Sequence, residues 1–231
     1  MPLPITTLPI TTIRFPELTL QTRDGHKLRG FFGNFFQEHS PLLHNHFDDG
    51  TLRYAYPLVQ YKVLNTVPTL VGLGEGATLL AQLFLGIRQI DIDRGDGTTE
   101  TFPVLSKHIE HTQATIGLSE TTVHYQFQTL WMALNQDNYQ DYRQRHNAGK
   151  LAQLTRVLTS QLLAVFKDVG LWLPPEHRIT LSLDVQERTT QFKNQTMMAF
   201  AGGFSANVIL PDGIGIGKGV SRGFGTIISH Q

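Results

Sequence analysis

Leu28, Phe31, Phe32, Phe35 and Phe36 recur at the spacing of one helical face, and they stand between runs that alternate with a period of two. This change of period constrains the fold most, because a helical stripe and the strands around it must be buried against each other. Ile13 to Thr22 alternates and suits a strand. Asp24-Gly25 marks a turn before a helix expected over Lys27 to Glu38. Gly30 and Gly33 weaken that helix or let a neighbour approach closely. Tyr54 to Val63 reads as a second strand, with Pro57 pointing to an edge or a bulge. Thr69 to Gly72 is a third strand, Glu75 to Leu85 a helix with an acid near its start, and Ile87 to Asp93 a fourth strand. The order is β-α-β-β-α-β.

That order is the ferredoxin-like split βαβ pattern. Asp93 to Gly97 is a turn, and a weakly patterned stretch carrying His108 and His111 leads to a second half. There Val123 to Leu134 suits a long strand. Ala148 to Val169 is the strongest helix, with Leu151, Leu154, Leu158, Leu162, Val165 and Phe166 on one face. Ile179 to Val185, Thr196 to Phe200, Phe204 to Leu210 and Thr226 to Ser229 read as strands. The expectation is an α+β protein of tandem ferredoxin-like βαββαβ domains, the second divergent. The first covers 1–95 and the second 120–231, with 96–119 as connector.

At 231 residues and 40% hydrophobic content, the chain can build one large core or two small ones. Its formal net charge of zero argues against a general nucleic-acid binder, though it is compatible with a local basic surface. Cysteine is absent, which excludes disulfides and thiolate metal sites and fits a reducing compartment, so a cytoplasmic location is expected. No apolar run reaches transmembrane length, and no membrane association is expected. The start, MPLPITTLPITT, lacks the charged residues and long apolar stretch of a signal peptide. It reads as an extended arm and receives no function.

From Gly213 to Gly225 the chain reads GIGIGKGVSRGFG, with Gly213, Gly215, Gly217, Gly219, Gly223 and Gly225 among Lys218 and Arg222 and no acid. Glycine at this density lets backbone N–H groups approach a ligand, and successive N–H groups form an anion-binding concavity. The two cations suggest phosphate. A P-loop fails, because Gly219 follows Lys218 where Ser or Thr is needed. The dinucleotide fingerprint fails too, because Val220 stands where its third glycine belongs. A hairpin or a set of bulges is the structural alternative.

His44 and His46, in Leu42-Leu-His-Asn-His46, fall in a loop after the first helix. Histidine titrates nearest neutrality, so the two can serve as acid and base of one proton relay. An HxH pair can also bind a metal, with Asp48, Asp49, His108 and His111 available as further ligands. Exposed loop histidines with local hydrogen bonds are the plain alternative. Tyr54 and Tyr56 share one strand face and could stack on bases, although strand aromatics more often pack within a sheet. His124, in mid-strand, reads as structural.

LRGFFGNFF (Leu28 to Phe36), LLHNH (Leu42 to His46), YPLVQYKV (Tyr56 to Val63) and the Gly-rich segment together resemble the CRISPR repeat-processing endoribonucleases of the RAMP superfamily, in particular the archaeal-type subgroup with a paired histidine. The resemblance spans nearly the whole chain in order, and its specific residues lie mainly in 28–63 and 213–229. It implies a tandem ferredoxin-like fold and metal-independent cleavage of precursor CRISPR RNA within each repeat, with no cofactor. The implied products are a 2′,3′-cyclic phosphate and a 5′-hydroxyl. It points to His46 and His44 as catalytic, with Tyr54 assisting. Lys27 and Arg29 are implied phosphate contacts, and Gly215, Gly217, Lys218, Gly219, Arg222, Gly223 and Gly225 an RNA-contacting loop. CRISPR repeat RNA is the implied partner, an effector complex is a further one, and a homodimer stays open. A RAMP subunit that binds crRNA without cutting it is the alternative.

Overall fold

The computed structural model describes residues 2–35, 55–192 and 195–230. They form two compact units. The N-terminal unit comprises Leu8–Ala114 with Ser221–Gly223, and the C-terminal unit comprises Met1–Thr7, Thr115–Val220 and Phe224–Gln231.

The first strand, β1, is Ile5–Arg14. The extended arm is therefore a strand, and it begins eight residues before the alternation that suggested one at Ile13. Its Thr-rich, β-branched composition (ITTLPITTIR) fits a pleated ribbon. Helix α1, Gly25–Phe35, follows. A capping box opens the turn before it, in which the Gln21 N–H donates to Asp24 Oδ2 at 3.1 Å. Strands β2 (Val59–Leu64) and β3 (Val67–Leu73) form a hairpin, with Leu64 opposite Val67. Asn65 and Thr66 make its two-residue turn, both at positive φ (49° and 68°), as a type I′ turn requires. Helix α2 is Glu75–Leu83.

Strands β4 (Gln89–Asp93) and β5 (Thr99–Pro103) pair only with each other, so the fourth strand read from the sequence lies outside the main sheet. Its place beside β1 is taken by β6, His108–Phe127, which covers the second half of the expected connector. Within the N-terminal unit Arg14 pairs with Glu110 at 3.3 Å, and Thr11 Oγ1 is 2.7 Å from His111 Nδ1. The strand order β2-β3-β1-β6 is that of a ferredoxin-like sheet, closed by the next strand in sequence rather than by β4. Its apolar face buries Ile13, Phe15, Val59, Tyr61, Val63 and Leu70 against Leu28 and Phe32 of α1. Phe32 lies parallel to Tyr61, with ring centroids 5.9 Å apart.

In the C-terminal unit, β7 (Leu181–Phe192), β8 (Gln195–Ile209) and β9 (Ile227–His230) join β6 in the order β7-β8-β6-β9. The two strands expected over 196–210 are one, with Gly202 and Gly203 inside it. β6 bulges between Leu118 and Val123 and ends at Phe127. Two helices precede β7: α3, Gln136–Gln144, and α4, Asn147–Asp168. α4 buries Leu154, Leu158, Leu162, Val165 and Phe166 as its periodicity requires, while Leu151 is exposed. α3 escapes a reading by hydrophobic period because only Tyr142 is buried in it. The whole is α+β with antiparallel sheets. Between β8 and β9, where a ferredoxin-like unit carries its later helix, the described residues hold the Gly-rich segment with its 3-10 turn at Val220–Arg222.

Phe32 is fully buried between Phe15, Phe31 and Tyr61. Phe32→Ala should destabilise the N-terminal unit by about 3–5 kcal/mol in urea unfolding, with an unchanged denaturant slope if the unit stays two-state.

Candidate functional site

The short segment Ser221–Gly223 leaves the Gly-rich loop to join the N-terminal unit. It lies against the start of α1 and the backbone of β2. A Cβ on Gly25 would stand 2.6 Å from the Arg222 carbonyl oxygen, and one on Gly223 would stand 3.2 Å from the Tyr61 carbonyl oxygen and 3.3 Å from Lys62 Cα. Gly223 also holds φ +89°, which side-chain-bearing residues rarely adopt. Two glycines thus let backbone meet backbone, and the meeting fixes where Arg222 sits.

Arg29 stands one helical turn beyond Gly25. Burial, and then the like charge of Arg29, hold the half-buried Arg222 guanidinium below its usual range. Two cations kept together by backbone packing gain when an anion lies between them. Lys27 is on the same helix, but its Nζ is 3.2 Å from Asp24 Oδ1 and is paired by a buried carboxylate. The cations suspected near the first helix therefore divide. Arg29 comes together with Arg222, and Lys27 is spent within the fold. Lys218 belongs to the C-terminal unit and is exposed.

Between the cations and the core lie Tyr61 and Lys62. The Tyr61 hydroxyl is buried without a hydrogen-bond partner among the described residues; burial pushes its pKa up, and the Arg29 charge pulls the other way. Lys62 is fully buried, and desolvation pushes its ammonium down to about 7.

Most of the Gly-rich loop folds onto the C-terminal unit. Ile214, Ile216 and Val220 are buried. The N–H groups of Gly213, Ile216, Lys218, Phe224 and Gly225 donate to the carbonyls of Ile227, Gly225, Met132, Gly219 and Leu130, at 2.8 to 3.3 Å. These donors are used internally and do not open as an anion-binding concavity. Glycine serves close packing here: a Cβ on Gly217 would fall 2.8 Å from the Trp131 indole nitrogen, and one on Gly225 would fall 1.9 Å from the Ile216 carbonyl oxygen. Gly215 packs likewise against Val220 and Phe224, and Gly219 turns the chain at φ +71°.

The Cas6b N-terminal domain family matches residues 6–112, and the Cas6b C-terminal domain family matches residues 117–230. The chain belongs to the Cas6b family. It is similar to a crystal structure of Cas6b, with a TM-score of 0.89 and 30% identity, over 97% of this chain and 100% of the other. A second structure, described as the CRISPR RNA processing endoribonuclease Cas6b, matches with a TM-score of 0.76 and 29% identity over the same shares. An uncharacterized protein of Methanocaldococcus jannaschii is 27% identical over 149 residues, 64% of this chain and 97% of that protein.

In this Cas6b-family chain, His44, His46 and Tyr54 lie outside the described residues. Tyr56 is half-buried, and its hydroxyl accepts from Gln60 Nε2 at 2.8 Å. His111, considered above as a metal ligand, engages Thr11. His124 Nδ1 is 2.7 Å from Ser205 Oγ across the sheet, a structural bond. The burial of Lys62 is the feature that the sequence pattern leaves unread. Its one signal is a lysine inside the otherwise closed run of β2, VQYKVL.

The folded-state pKa of Lys62 lies below its unfolded value. Between about pH 7 and about pH 10.4 the unfolded chain therefore binds the extra proton, and stability rises with pH. Lys62→Met should be more stable than the parent at pH 7, by on the order of a few kcal/mol, and that advantage should shrink towards pH 10. Paired urea titrations at the two pH values check this; an advantage independent of pH would refute it.

Proposed function

We propose that this chain is an endoribonuclease that cleaves precursor CRISPR RNA within its repeats, without a metal ion. Membership of the Cas6b family supports the substrate, and the convergence of Arg29 and Arg222 at the start of α1 is the observation that carries the reading. A pair of cations held together at the start of α1 suits a phosphodiester as it gains charge.

The ribose 2′-oxygen attacks its own neighbouring phosphorus and forms a P–O bond. The bond from phosphorus to the 5′-oxygen breaks. One group takes the 2′-hydroxyl proton and another gives a proton to the departing 5′-oxygen, which leaves a 2′,3′-cyclic phosphate and a 5′-hydroxyl. The nucleophile belongs to the RNA, and most of the rate comes from holding the three reacting atoms in line. His46 and His44 take the two proton roles, and Tyr54 assists them. The first half (1–95) carries this chemistry and the second (120–231) carries the Gly-rich loop.

Cleavage of the host's own repeat RNA in EDTA tests the proposal. The parent should cut; His46→Ala should lose roughly 10²–10⁴-fold in rate, and an RNA with a 2′-deoxy sugar at the cut should remain whole. Arg222→Ala should lower kcat/KM by roughly 10²-fold. The rate should peak between about pH 5 and about pH 9, since imidazoles titrate near about 6.5. Activity abolished by EDTA would overturn the metal-free mechanism. Tight binding without cutting would make the chain a crRNA-binding subunit instead.

A further inference from the structure

A cleft of about 610 Å³ opens on the C-terminal unit between α3 and α4, beside the Gly-rich loop. Arg145, Arg156 and Lys218 line it, with one carboxylate, Asp141. Arg145 is committed to that carboxylate, with Nη2 2.7 Å and Nε 3.2 Å from Oδ2. Two charges remain. Arg156 and Lys218 are both exposed, and neither makes an ion pair among the described residues.

The lining also includes Gln153 of α4, which is only 5% exposed. Its Nε2 donates to the Asn138 carbonyl at 2.9 Å, while its Oε1 has no hydrogen-bond partner among the described residues. Two turns along the helix, Gln161 accepts from Trp131 Nε1 at 2.8 Å and donates to the Ala133 carbonyl at 3.1 Å, so both ends of its amide are engaged. A buried acceptor without a donor is unfavourable in a folded chain, and one at a ligand cleft is relieved when a ligand brings the donor. Lys218 is delivered to the rim by the loop itself. Its N–H donates to the Met132 carbonyl at 3.0 Å, and Gly217 before it packs on Trp131.

Two uncompensated cations and one unpartnered buried acceptor are the complement of a phosphate joined to a hydroxyl-bearing group. We propose that this cleft binds one ribose-phosphate unit of the substrate RNA, with the phosphate between Arg156 and Lys218 and the 2′-hydroxyl donating to Gln153 Oε1. Ala133, Val157 and Ala164 supply apolar wall for the sugar. The inference rests on the reading of the chain as acting on RNA, but it uses neither the histidine loop nor the Arg29–Arg222 pair. A deoxyribose lacks the 2′-hydroxyl donor, so the site favours RNA over DNA.

The test is the affinity of the full chain, carrying His44→Ala and His46→Ala to keep the RNA whole, for fluorescein-labelled host repeat RNA and the DNA of the same sequence. Arg156→Ala with Lys218→Ala alters only exposed side chains. It should weaken RNA binding roughly tenfold at about 50 mM salt and flatten the log–log salt dependence by about 0.7. Gln153→Leu should leave DNA affinity unchanged and lower RNA affinity several-fold, and Gln153→Met is the substitute if the leucine variant fails to fold. Parent-like affinity and salt slope in the double variant overturn the phosphate site. An equal loss on RNA and DNA in the Gln153 variant overturns the ribose contact. If the parent binds the repeat but these variants are silent, only this inference falls; if the parent binds no repeat RNA, the functional reading falls with it.

Discussion

The contact between the Ser221–Gly223 backbone and that of α1 and β2 organises the site. Hydrogen at position 25 and hydrogen at position 223 are what allow it, since a methyl at either would meet a carbonyl oxygen within 2.6 or 3.2 Å. Everything cationic about the site follows. Backbone packing places Arg222 near enough to Arg29 for the two like charges to act on each other. The glycines do more than permit a turn, because they fix the separation of two like charges.

The same interior carries two further polar side chains where apolar ones would be expected. Gln60 and Lys62 alternate with Val59, Tyr61 and Val63 along β2, and all five are buried. The odd-numbered residues face α1, and Gln60 anchors the strand's entry by donating to the Pro57 carbonyl and the Tyr56 hydroxyl. The strand that follows the histidine-bearing segment is thus pinned at both ends, by this bond and by the Asn65–Thr66 turn. Residues that must hold a reacting group gain from such a rigid base.

Much of the fold was legible in the amino-acid order. The stripe of Leu28, Phe31 and Phe32 and that of Leu154, Leu158, Leu162 and Val165 mark α1 and α4 because burial imposes their period, while Phe35 of the same stripe is exposed. What stayed unread lacks that imprint. β5 and the start of β6 are mostly exposed, so their side chains carry no alternation, and α3 buries a single tyrosine. At the site, the cations were legible as residue types but their partition was not. Lys27 goes to Asp24 within one helical turn, whereas the meeting of Arg29 with Arg222 depends on chain folding over nearly two hundred positions. The glycine pattern suggested open donors, whereas the N–H groups of Gly213, Ile216, Lys218, Phe224 and Gly225 are taken by carbonyls within the fold. His44 and His46 rest on sequence alone.

The residues of the N-terminal unit are almost all contiguous, from Leu8 to Ala114, and only Ser221–Gly223 come from far along the chain. A ribosome therefore releases the helix, the hairpin and the buried lysine long before it releases the arginine that completes the basic pair. Until Arg222 has emerged, the nascent chain offers an anion only Arg29, so the site is assembled late in synthesis, after most of its scaffold is already available to fold.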